Sequence, residues 1–85
     1  QELPLKELAL AKSQVERAER LSAEEYAPEE FSEAKKSLVS ANEFAAEEKA
    51  SDSKKSADYA ISKAYDALEK TLPKLAAKSR EEAVA

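Results

Sequence analysis

Cysteine, histidine, glycine, methionine and tryptophan are all absent from this 85-residue sequence. Without cysteine there is no disulfide and no thiolate metal site. Without histidine the chain lacks the commonest general base and the commonest metal ligand. Without glycine it lacks the residue that most readily takes left-handed backbone. Phosphate-cradling glycine loops and Asn-Gly hairpins are thereby excluded, and tight left-handed turns are expected to be avoided. Long apolar runs are missing too: none is long enough to cross a bilayer, and none reads as a signal peptide.

What is present is dominated by alanine, glutamate, lysine, serine and leucine, most of them good helix formers. The length suits one domain with one modest core. Charge is unevenly spread. Residues 1–48 carry 12 acids and 6 bases, and residues 49–85 carry 6 acids and 8 bases. Neither half is a basic surface suited to nucleic acid. Pairs such as Glu2–Lys6, Glu16–Arg20 and Asp66–Lys70 have the i, i+4 spacing of intrahelical ion pairs.

Three segments carry helical periodicity, and none alternates like a strand. The first, over about 3–24, has the row Leu8, Ala11, Val15, Ala18, with Leu5 and Leu21 at its ends. Proline disfavours helix at the residue before it and suits a first helical turn, so Ala27-Pro28 predicts a break and a restart. Tyr26 and Phe31 then occupy the two positions of a hydrophobic staple. The second helix, 28–49, has the row Phe31, Ala34, Leu38, Ala41, Ala45, a 3-4-3-4 seam for side-by-side packing. The third, 52–78, follows Ser51 or Ser53 as cap and has the row Ala57, Ile61, Ala64, Leu68, Leu72, Leu75. Pro73 predicts a kink or a break near 71–73. The expected fold is all-α: an antiparallel three-helix bundle with alanine-rich seams, forming a single domain over 1–85. A self-associating coiled-coil spacer is the rival, opposed by Pro28 and Pro73.

Chemistry is hard to place on these residues. Adjacent glutamates (Glu24-Glu25, Glu29-Glu30, Glu47-Glu48, Glu81-Glu82) point about 100° apart on a helix and read as solvated surface. Di-metal helical sites use a Glu-x-x-His partner, and calcium loops use a glycine turn; both are missing. Ser51-Asp52-Ser53-Lys54 permits a Ser-Lys pair at i and i+3, but such pairs are common by chance in a Ser/Lys-rich chain and nothing supplies a substrate pocket. No catalytic residue, metal ligand or cofactor site is therefore expected. The candidate partner contacts are Tyr59, whose helix face is otherwise polar, Phe44 beside the second seam, and the acidic Glu24, Glu25, Glu29 and Glu30.

The segment Tyr26-Ala27-Pro28-Glu29-Glu30-Phe31-Ser32-Glu33-Ala34-Lys35, with Ala11 and Ala18 before it and Leu38, Ala41, Ala57, Ala60, Ala64 and Ala67 after it, resembles a family of bacterial envelope domains of unknown function. The resemblance covers roughly residues 8–68. It implies an exported, non-enzymatic domain in the periplasm or cell envelope, without cofactor. Such domains often occur in lipoproteins or ahead of a peptidoglycan-binding domain like that of outer membrane protein A. The expected partner is another envelope or cell-wall-associated protein, and the expected state a monomer or weak oligomer. A lipid anchor or further domain would lie outside these residues. The alternative expectation is a surface-exposed binder of a host or soluble protein through the acidic 24–33 region.

Overall fold

In the computed structural model, four helices pack together and no strand occurs among the described residues, which are 2–84, with side chains for 2–76. Helix α1 is Leu5–Arg20, α2 is the single turn Ala23–Tyr26, α3 is Pro28–Ala46 and α4 is Ala50–Val84. The all-helical class expected from composition and periodicity is what the chain adopts.

The helix starts follow the sequence signals. Pro28 is the first residue of α3, where its missing N–H costs nothing, and Ala27 before it is extended rather than helical. Glu29 and Glu30 fill the first turn, at the positive end of the helix dipole. The helix ends differ from expectation. The first helix stops at Arg20, not near 24, because Ser22 takes left-handed backbone with φ 65° and starts the short α2. The second stops at Ala46, not 49, because Glu48 does the same with φ 60°. Left-handed turns are thus made without glycine. At the α3 end the Glu48 N–H donates to the Ala45 carbonyl and the Lys49 N–H to the Phe44 carbonyl, which is the paired bonding of a Schellman cap. The Lys49 ammonium lies over the Phe44 ring, 5.9 Å from its centre, which joins the two residues that such caps usually bring into contact.

Helix α4 begins at Ala50, one turn before Ser53. Ser53 is not a cap. It is fully buried, and its hydroxyl donates to the Ala41 carbonyl of α3 at 2.8 Å. Of the kink or break expected near 71–73, no break occurs: α4 runs through Pro73 to Val84. Proline deprives the Glu69 carbonyl of its helical partner. Anchoring on both sides offsets that loss. Leu68 and Thr71 are buried just before it, and the Lys74 ammonium donates to the Tyr26 carbonyl just after it, at 2.7 Å.

The core has two adjoining clusters. Val15, Ala18, Ala23, Ala27, Phe31, Ala34, Ala64, Ala67 and Leu68 form one; Ala11, Ala41, Ala57 and Ala60 form the other. Ten of these thirteen residues are alanine, so the seams let helices approach closely but bury little area each. The α4 seam departs from the expected row. Its buried positions are Ser53, Ala57, Ala60, Ala64, Ala67, Leu68 and Thr71, while Ile61 and Leu75 are half-buried and Leu72 is exposed. On α1, Leu5 is exposed rather than a seam end.

Candidate functional site

The richest polar geometry lies where α4 crosses the start of α3. Lys63, Lys70 and Lys74 fall at i, i+7 and i+11, and this spacing places them along one flank of α4. Each reaches across. Lys63 pairs with Glu33 at 3.3 Å, Lys70 donates to the Glu30 carboxylate, and Lys74 reaches the Tyr26 carbonyl. Tyr59, one turn before Lys63, donates its hydroxyl to the same Glu33 carboxylate at 3.2 Å. The Lys63 ammonium also stands 5.5 Å from the Tyr59 ring centre.

These contacts tune the charges. The Lys70 hydrogen bond, helped by the Glu30 backbone N–H and the more distant Lys63, holds the Glu30 carboxyl below its ordinary range. Glu30 in turn raises Lys70, by hydrogen bond and then by charge, with Glu29 and Asp66 adding to the field. Lys63 is raised by its bond to Glu33 and by Tyr59. On the far end of α4, Lys54 is raised by Asp58, 2.9 Å away and one turn on.

The expected intrahelical pairs Glu2–Lys6, Glu16–Arg20 and Asp66–Lys70 do not close within ion-pair distance. Lys70 prefers Glu30 because α3 offers a carboxylate already held in a helix first turn, whereas Asp66 must bend back along its own helix.

The candidate contact residues separate into two groups. Tyr59 is 48% exposed, but its hydroxyl is engaged by Glu33. Phe44 is half-buried, with the Lys49 ammonium over its ring. Glu30 is held by Lys70. Glu24, Glu25 and Glu29 stay exposed, the first two in α2 and the third at the start of α3. The structure brings Glu29 and Glu30 into the field of Lys70 but does not gather the four glutamates into one cluster. Among the described residues no three Asp or Glu side chains converge as a metal site. A shallow depression beside α3, lined by Glu24, Pro28, Phe31, Ser32, Lys35 and Lys36, is open and mixed in character. No described helix is long and apolar enough to cross a membrane.

Sequence reading overlooked Glu33, Lys63, Lys70 and Lys74. The signal was available as the i, i+7, i+11 lysine row of α4 facing the Glu30, Glu33 pair of α3. The chain matches no protein-family model, and neither a curated protein nor a solved structure matches it.

Proposed function

We propose that this chain is a non-catalytic structural and protein-interaction module of the bacterial cell envelope, working as an antiparallel three-helix bundle. The observation that carries the reading is the body's elongated form, 56 × 20 × 14 Å, with a radius of gyration of 14.9 Å. A compact domain of this length has a radius of gyration of about 12 Å. A rod built on alanine seams is suited to spacing or presenting neighbours. The Tyr26-Ala27-Pro28 junction, with its resemblance to envelope domains, supports the setting.

The bundle reading is supported by the order of cross-helix pairs. Ser53 meets Ala41, Lys63 meets Glu33, and Lys74 meets Tyr26, so numbers rise on α4 as they fall towards the start of α3. Helix α2 is then a corner, and α4 is the long member. The carboxylates are accounted for as first-turn residues and cross-helix partners.

Cell fractionation tests the setting. In bacteria expressing the natural gene, the protein is expected in the osmotic-shock or envelope fraction; recovery with cytoplasmic markers would overturn the reading. A second reading, an acidic binder of a soluble protein, is favoured by the exposure of Glu24, Glu25 and Glu29. It requires that partner binding weaken steeply between about 0.05 and 0.5 M salt.

A further inference from the structure

We propose that the α1–α4 face is a self-association surface, closed by a second copy of this chain in parallel orientation. The inference stands on its own geometry and not on the envelope reading.

Among the described residues six large apolar side chains are exposed (Leu5, Leu10, Val39, Tyr59, Tyr65 and Leu72), against three buried in the core (Val15, Phe31 and Leu68). Three of the six share one face. On α4, Lys63 and Tyr65 flank the buried Ala64, about 100° to either side. Lys63 reaches α3, so Tyr65 is turned to the α1 side. The same holds at Thr71, with Lys70 towards α3 and Leu72 towards α1. On α1, Leu10 and Arg17 continue the row of Leu3 and Glu7, which line a depression with Lys54 and Ala50 of α4. Leu10, Tyr65 and Leu72, at 42, 51 and 44% exposure, therefore form an apolar strip, with the half-buried Ile61 beside Tyr65. The α3–α4 face is crossed by polar clips; among the described residues, none joins α1 to α4.

The rims of the strip say what covers it. The α1 rim carries Arg17 and the α4 rim carries Glu69 between Tyr65 and Leu72, and neither is in an ion pair among the described residues. Helices α1 and α4 run the same way: Ala11 clusters with Ala57 and Ala60, and Ala18 with Ala64, Ala67 and Leu68. A two-fold axis along the helices lays the α1 rim of one copy on the α4 rim of the other. Arg17 then meets Tyr65 and Glu69 of the second copy, twice per dimer. A two-fold axis across the helices would instead set Arg17 near Arg17 and Glu69 near Glu69. Charge complementarity selects the parallel dimer. The strip from Asp58 to Leu72 is about 21 Å long on a body 20 Å wide. Covering it in both copies buries roughly 1,000 Å², the size of a weak, reversible interface.

Sedimentation equilibrium on the 85-residue chain tests this, with circular dichroism confirming that each variant keeps its helicity. Mass should rise from 9.3 kDa towards twice that value as concentration climbs through the micromolar range. R17E and E69R are each expected to weaken association about tenfold, and the R17E/E69R double swap to restore most of it. Orientation is read separately, because the chain has no cysteine of its own. Exposed Ser13 lies between Leu10 and Arg17, and exposed Ser62 between Asp58 and Tyr65, at matching heights. Mild oxidation of mixed S13C and S62C chains should give the mixed disulfide in preference to either homodimer. A mass fixed at the monomer value, a double swap that does not rescue, or a dominant S62C homodimer would each overturn the proposal.

Discussion

Ser53 and Thr71 occupy equivalent places on the buried row of α4, and their hydroxyls have opposite fates. Ser53 donates to the Ala41 carbonyl, while the buried Thr71 hydroxyl has no partner among the described residues. Removing a satisfied buried hydrogen bond costs about 0.5–1.5 kcal/mol, so Ser53→Ala should lower the unfolding free energy by that amount, read as a lower urea midpoint at an unchanged slope. Removing an unsatisfied hydroxyl relieves a desolvation penalty, so Thr71→Val should leave stability unchanged or raise it by up to about 1 kcal/mol. Equal losses in the two variants would contradict these assignments. The same two residues show why the third seam was only half legible in the sequence. Weighting by hydrophobicity picks Ile61 and Leu72. Close packing against α3 and α1 instead selects mostly the smallest side chains, Ser53, Ala57, Ala60, Ala64 and Ala67, with Leu68 the one large exception, and Ile61, Leu72 and Leu75 are pushed to its margin. Alanine periodicity was the better guide, and a hydroxyl within it was not an exception.

At the scale of elements, starts were more legible than ends. Pro28 announces α3 because ring geometry leaves few alternatives. The ends depend on Ser22 and Glu48 at positive φ, which no composition rule anticipates in a glycine-free chain. Left-handed backbone costs a residue with a Cβ about 1–2 kcal/mol, partly cancelled in a glycine variant by the looser unfolded chain. Glu48→Gly should therefore stabilise by roughly 0.5–1 kcal/mol with an unchanged denaturant slope. Pro73 allows a kink or a break, and the helix runs on through it; sequence alone does not reveal that Leu68, Thr71 and Lys74 anchor the helix around it. Restoring the amide in Pro73→Ala should gain about 1–3 kcal/mol, measured by the same unfolding curves.

For the whole molecule, the contacts that link α4 to the start of α3 make stability depend on pH at both limits. Glu30 has a lowered pKa in the folded chain, so its contribution is present above the unfolded value of about 4.3 and is lost as pH falls through the folded value. Lys63 and Lys70 are raised, so theirs is present below about 10.4 and is lost as pH rises through the folded values. The denaturation midpoint should fall on both sides of a plateau, and Glu30→Gln should flatten the acid limb. These ion pairs were hard to read from sequence because each joins residues 30 or more apart whose register is fixed only by the seams. The three-residue connection between Ala46 and Ala50 has a further consequence, and it is one of time. Helices α3 and α4 share the most extensive interface and are adjacent in sequence, so their pairing closes a small loop, whereas docking α1 on α4 closes a far longer one. Folding is expected to proceed from the α3–α4 hairpin, with α1 arriving last. Stopped-flow kinetics should then show Val15→Ala acting mainly by speeding unfolding, and Leu38→Ala also slowing folding.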